Sequence, residues 1–195
     1  MFSLFLCPIL YVLKLAVPAW IVFRTGRALY LWYINVPVDI TKEGLLFLLA
    51  VYASSVMAVT IAPASILGFN DPDAIRLNFV PVINTTTYYL NALHDHDEIA
   101  VLHALENIIG NLILLIPFGI LLPCIFRSVR SFKNVLAICV FCSALIELIQ
   151  FFLRQIGTFR TVDIDDLILN TIGGMLGWVI YAKIIHRYFP VLMVS

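Results

Sequence analysis

Five long stretches of the chain consist almost entirely of apolar residues. They lie at about 3–23, 45–67, 108–126, 135–153 and 167–185. A helix of roughly 20 apolar residues crosses the hydrocarbon core of a bilayer. The pattern therefore predicts an all-α fold, a polytopic membrane helix bundle with about five transmembrane helices.

The first stretch differs from the other four because Lys14 interrupts it between Pro8 and Pro18. It lacks the charged start and small-residue cleavage site of a secretory signal, so we expect it to remain in the mature protein. An apolar continuation at 28–40 carries Trp32 and Tyr33, aromatic side chains that favour the headgroup region. The first 44 residues are thus predicted to form a transmembrane or interfacial segment.

A long polar connection at 68–106 separates the second and third stretches. Connections of this length are usually functional or mobile. We expect this one to act as a lid or cap, with its Thr- and Tyr-rich middle at 84–90 along the membrane surface.

Composition agrees with a membrane protein, since 62% of the residues are hydrophobic and only 12% are charged. The formal net charge is zero and the Lys and Arg residues are scattered, so nucleic acid is not an expected partner, whereas membrane lipids are. The four cysteines lack the paired spacing of a zinc site. We expect them to pack in the core, and we predict no metal and no cofactor.

The distribution of Lys and Arg between connections predicts the orientation. One side collects eight of them: Arg24, Arg27, Lys42, Arg127, Arg130, Lys133, Lys183 and Arg187. The other side holds three: Arg76, Arg154 and Arg160. The pattern predicts a multi-pass protein of the cell membrane with its N-terminus outside and its C-terminus, including a tail at 187–195, in the cytoplasm.

Three groups of polar residues lie in or beside the last three spans. They are His103, Glu106, Asn107 and Asn111; then Glu147 and Gln150; then Arg160, Asp163, Asp166 and Asn170. Such side chains are costly in a bilayer and normally face a bundle interior or a wet cavity. Because the spans alternate in direction, all three groups are predicted to meet in the outer half of the membrane.

Small residues and prolines add two structural expectations. Gly173 and Gly177 form a small-xxx-small pattern, which lets helices approach closely either within the chain or between copies in a homo-oligomer. Pro117, Gly119 and Pro123 predict a kink in the third span.

The polar groups and their surroundings resemble one known family. The resemblance rests on three ordered blocks: Asn107-Ile-Ile-Gly-Asn111-Leu-Ile-Leu-Leu-Ile-Pro117-Phe-Gly119, Glu147-Leu-Ile-Gln150, and Asp163-Ile-Asp165-Asp166-Leu-Ile-Leu-Asn170-Thr-Ile-Gly173-Gly174. They are similar to those of the VanZ-like family of bacterial membrane proteins, named for a member linked to teicoplanin resistance. The resemblance covers roughly 45–186 and implies a four-helix membrane domain there, to which the N-terminal helix is added.

Three functions stay open. The resemblance implies an envelope protein that lowers susceptibility to lipoglycopeptides, with a lipid-linked or amphiphilic ligand bound by Asn107, Asn111, Glu147, Gln150, Arg160, Asp163, Asp166 and Asn170. The second is a membrane-embedded hydrolase or transferase acting on an envelope lipid, with Glu147, Asp163, Asp166 and His103 as candidate catalytic residues. In the third, these side chains only hold the helices of a membrane scaffold together.

Overall fold

A computed structural model describes residues 2–61, 77–78, 83–94, 96, 98–155 and 162–192 of the chain. Its long helices are α1 Phe2–Tyr33, α2 Ile40–Ile61, α3 Ile83–His94, α4 Glu98–Leu114, α5 Ile116–Ile125, α6 Phe132–Gln155 and α7 Ile164–Ile180. Shorter helical turns are Arg127–Val129, Tyr181–Ile185, His186–Tyr188 and Pro190–Leu192. Two two-residue strands, β1 Leu77–Asn78 and β2 Val162–Asp163, complete the elements.

The structure confirms the all-α membrane bundle. Within the described residues, four helical stretches are long and apolar enough to cross a membrane: Ile40–Thr60, Glu98–Ile125, Phe132–Leu153 and Ile164–Tyr188. The predicted first span at 3–23 lies inside α1, where the side chains of residues 2–8 are outside the described set. Its passage through the bilayer, and hence a total of five spans, stays a prediction.

The third span is longer than the apolar pattern at 108–126 predicts, because helix begins at Glu98 and includes polar residues that the pattern excludes. The prolines predict a kink, and the structure places the break at Leu115, between α4 and α5. Pro117 lies in the first turn of α5, where its missing N–H needs no partner within the helix. The middle of the predicted lid is helical as α3, which packs on α4, whereas residues 68–76 and 79–82 lie outside the described residues.

Helix α7 is the centre of the bundle, because it packs against α4, α5 and α6. A Cβ added at Gly173 would overlap the backbone oxygen of Leu112, and one at Gly177 would overlap the backbone oxygen of Ile116. The small-residue face therefore serves packing within the chain.

The other helices surround this centre. Helix α2 packs on α5 and α6, and α1 packs on α2. The cysteines Cys124 and Cys139 are buried free thiols in the two apolar clusters of the core. The Sγ atom of Cys139 occupies the space beside Gly174, so this thiol acts as a packing group.

Candidate functional site

The site lies where the first half of α7 meets α4 and α6. Along α7, Gly174 faces Cys139 of α6, and Asn170 bonds to Ser143, so these two helices run antiparallel. Asp166 of α7 meets Asn107 of α4, and Gly173 meets Leu112 further along both helices, so this pair is parallel. The polar ends of all three helices consequently fall in the same half of the bundle.

Helix α7 contributes three buried polar side chains to this half. Asp165 and Asp166 lie in its first turn, and Asn170 follows one turn later with only 1% of its surface exposed. Carboxylates at the start of a helix are favoured by the helix dipole. This placement lowers the cost of carboxylates that the fold removes from water.

Helix α6 presents Ser143, Glu147 and Gln150 on one face, at spacings of four and three residues. All three are buried, with Glu147 only 8% exposed. The Ser143 hydroxyl donates to the carbonyl oxygen of Leu167 at 3.3 Å and accepts from the Asn170 Nδ2 at 3.2 Å. Ser143 thereby links α6 to α7.

The side-chain oxygen of Asn170 is a buried acceptor with no hydrogen-bond partner among the described residues. Leaving such an atom without a partner costs roughly 1–3 kcal/mol. The Asn170 Oδ1 is therefore an acceptor to which a hydrogen-bond donor can bind, next to Ser143.

Helix α4 adds a short ladder of amides. The Asn107 Nδ2 donates to Asp166 Oδ1 at 3.3 Å, and the Asn111 Nδ2 donates to Asn107 Oδ1 at 3.3 Å. Asn107 is exposed, whereas Asp166 is buried. The ladder connects the buried carboxylate to the surface of α4.

Helix geometry places Glu147 and Asp166, two candidates for acid and base chemistry, at one level of the bundle. From Ser143 to Glu147 the helix rises by about 6 Å, and from Asn170 back to Asp166 it rises by the same amount in the same direction. Since Ser143 and Asn170 are bonded, Glu147 and Asp166 lie one turn above that bond on adjacent helices.

The remaining predicted residues are only partly described. His103 belongs to α4 and Asp163 to β2, although neither side chain is among those described. Arg160 lies outside the described residues. The backbone of Asp163 pairs with Asn78 of the parallel strand β1, so the polar connection before α3 reaches the start of α7.

Three residues of this region are not among the sequence candidates for binding or catalysis. Ser143 is a small neutral residue whose signal is its position one turn before Glu147. In the sequence, Asp165 is one of several acidic residues in a connection, where an exposed side chain is expected, but the structure leaves only 6% of it exposed. Asn78 has no local signal of a place in the site, because only the pairing of distant strands brings it to Asp163.

We call Asn107, Asn111, Ser143, Glu147, Gln150, Asp165, Asp166 and Asn170 the polar cluster. It offers carboxylate and amide oxygens as acceptors, and the amides add donors. Within the described residues, no group of three or more His, Cys, Asp or Glu side chains is arranged to hold a metal ion. Its evident chemistry is hydrogen bonding to a polar ligand group and, through the carboxylates, proton exchange.

Comparisons with known proteins assign the chain to a family. The family model described as VanZ/LLP1 matches residues 45–186. Protein VanZ of Enterococcus faecium is 39% identical over 76 residues, which amount to 39% of this chain and 44% of that protein. The chain thus matches less than half the length of this relative, and no solved structure matches it. Because the family model spans most of the sequence and includes every helix of the polar cluster, the chain belongs to the VanZ/LLP1 family.

Proposed function

We propose that this membrane protein acts in the bacterial cell envelope and lowers susceptibility to lipoglycopeptides such as teicoplanin. In this proposal the polar cluster lies in the outer half of the bilayer and binds a lipid-linked or amphiphilic ligand. The relative named VanZ and the family model support the envelope role, and the cluster supports the binding role.

The observation that carries the proposal is the burial of ionisable side chains inside membrane helices. Glu147, Asp165 and Asp166 are all less than one-tenth exposed. On insertion scales a charged residue costs about 2.5–3.5 kcal/mol at the centre of a membrane helix, which is an upper bound for these three residues because they lie nearer the helix ends. Hydrogen bonds between membrane helices return on average only about 0.6 kcal/mol each. A scaffold role alone does not balance this cost, which favours a functional role.

The ligand we propose has two chemical parts. Its polar part carries hydrogen-bond donors, such as amines or hydroxyls, that complement the carboxylates and the unfilled acceptor of Asn170. Its apolar part lies against the lipid-facing surface of the helices, where Ile109 and Leu148 are exposed. A lipid-linked envelope precursor and an acylated glycopeptide both combine these features.

The second candidate is a hydrolase or transferase that acts on an envelope lipid. The position of Glu147 and Asp166 at one level of the bundle favours it, since general acid and base catalysis needs two such groups around one substrate. Asp163 at the start of α7 is the third carboxylate in this scheme. The two candidates differ in whether the envelope lipid is changed chemically.

The test is glycopeptide susceptibility of a sensitive host that expresses the wild type, Asp166→Asn or Glu147→Gln. We expect the wild type to raise the inhibitory concentration of teicoplanin more than that of vancomycin. Both variants should lose this protection at unchanged membrane abundance, because each keeps the side-chain shape and removes the charge. The matched control is Glu98→Gln, which neutralises an exposed carboxylate of α4 outside the polar cluster.

The outcomes separate the alternatives. Wild-type protection by both variants would contradict a role for the cluster, and reduced abundance of both would favour the scaffold. A change in envelope lipids that requires Asp166, detected by mass spectrometry, would favour the enzyme.

The orientation of the protein in the membrane is tested with Thr87→Cys in α3 after the native cysteines are replaced. An impermeant thiol reagent should label this cysteine in intact cells. Labelling only after lysis would show the opposite orientation.

A further inference from the structure

An apolar cleft of about 280 Å³ lies between α1 and α2, away from the polar cluster. Its walls include Ala16, Trp20 and Phe23 of α1, and Phe47, Ala50 and Ser54 of α2. The lining extends over about 10 Å of each helix, at 1.5 Å per residue.

One end of the cleft carries a cluster of charged side chains. The Arg24 guanidinium lies over the Trp20 ring at 5.4 Å from its centroid and also forms an ion pair with Glu43. Arg27 bonds to the other oxygen of Glu43 at 2.9 Å, and its side chain remains 44% exposed. The apolar cleft therefore has charged side chains at one end, an arrangement that matches the charged headgroup and apolar chain of a lipid.

The charges at this end of the cleft do not cancel. Two guanidinium groups, those of Arg24 and Arg27, share the single carboxylate of Glu43. Asp39 is the N-terminal cap of α2, since its Oδ1 accepts the backbone N–H of Lys42 at 3.0 Å. Glu43 orients the two arginines, and one positive charge remains in excess at the end of the cleft.

We propose that this cleft binds one acyl chain of an anionic phospholipid, whose phosphate is held by Arg27. The apolar walls match the chain, and the excess positive charge matches the phosphate. Basic pockets between transmembrane helices are a recurrent place for anionic headgroups. A helix of another protein, about 10 Å across, is too wide for a cleft of this volume.

The cleft between α1 and α2 is separate from the polar cluster, and it includes residues outside the family domain. Its α1 wall lies before residue 45, outside the part of the chain that the family model matches. Helix α1 packs on α2, so a lipid seated here would fill the contact between the added helix and the family domain. The proposal does not depend on the proposed function.

The test is native mass spectrometry of the purified full chain in detergent, titrated with phosphatidylglycerol or with phosphatidylcholine of the same acyl chains. We expect one phosphatidylglycerol molecule to be retained about tenfold more tightly than phosphatidylcholine. Arg27→Gln should remove this preference, a loss of about 1.4 kcal/mol, because it removes the guanidinium that binds the phosphate. Ala50→Phe should remove the bound lipid by filling the cleft.

Two control variants distinguish this site from general surface charge and bulk. Lys133→Gln neutralises an exposed cation at the same end of the bundle, and Leu48→Phe adds bulk on an exposed face of α2. Both should bind phosphatidylglycerol as the wild type does. Equal retention of the two lipids by the wild type, an equal loss in Lys133→Gln, or unchanged binding in Ala50→Phe would overturn the proposal.

Discussion

The two halves of α7 pack against their neighbours in opposite ways. In the second half, Gly173 and Gly177 bring the helix onto the backbone oxygens of α4 and α5, with no side chain between. In the first half, Asp166 and Asn170 meet Asn107 and Ser143 through side-chain hydrogen bonds of 3.2–3.3 Å. One half is a contact between backbones, and the other is a network of polar side chains.

This difference separates the contacts that stabilise the fold from the polar side chains that the fold positions. Backbone contact through glycine leaves no room for change, because interiors are close-packed and the opposing atoms cannot rotate away. The polar half retains an unfilled acceptor on Asn170 and reaches the surface at Asn107. We therefore expect changes in the glycine half to reduce stability, and changes in the polar half to reduce function.

The largest expected effect is that of Gly173→Val in the glycine half. Its Cβ would overlap the Leu112 carbonyl oxygen, so α4 and α7 must separate, at a cost of about 3 kcal/mol or more. We expect a large fall in the thermal unfolding midpoint in detergent and in membrane abundance. The matched control is Gly110→Val, where nothing lies within 4 Å of the added Cβ; an equal loss there would show that close contact is not the cause.

Hydropathy predicts the parts of the fold that depend on local pattern. Solvation by lipid requires long apolar helices, so the four helical stretches that are long and apolar enough to cross a membrane follow from the sequence, as does a break near Pro117, which the structure places at Leu115. Helix α4 extends beyond its apolar pattern to Glu98 because the added segment, 98–107, is rich in the strong helix formers Ala, Leu and Glu, although polar residues interrupt its hydropathy.

The partners within the site are less accessible to sequence reasoning. Glu147, Asp166 and Asn170 are visible as polar residues in apolar surroundings. Ser143 is compatible with any helix position, and only the register between α6 and α7 gives it two partners. The pairing of Asn78 with Asp163 depends likewise on an arrangement that no local pattern encodes.

The next effect in size compares the two partners of one buried bond in the polar half. Ser143→Ala leaves the Asn170 amide group without its acceptor, which should destabilise the protein by roughly 1–3 kcal/mol. Asn170→Leu, of similar shape, removes the unfilled oxygen together with the amide, and Ser143 keeps its bond to Leu167. We expect it to change the free energy of unfolding by less than about 1 kcal/mol.

Function and stability should then separate at Asn170. The leucine variant should lose protection against teicoplanin while its unfolding midpoint and abundance stay near those of the wild type. Full protection by Asn170→Leu would show that its amide takes no part in the site, and severe instability would place Asn170 among the structural contacts instead.

The smallest expected effect is that of Thr171→Val. The Thr171 hydroxyl donates to the Leu167 carbonyl at 2.8 Å, the same oxygen that accepts from Ser143. Thr171 is half-buried and lies on α7 itself, so its hydrogen bond joins no second helix. When this bond is removed, the Leu167 carbonyl oxygen still accepts from the Ser143 hydroxyl. We expect a change below about 0.5 kcal/mol in unfolding and no change in teicoplanin protection. A loss as large as that of Ser143→Ala would mean that the Leu167 carbonyl, rather than the bond between α6 and Asn170, holds the polar half together.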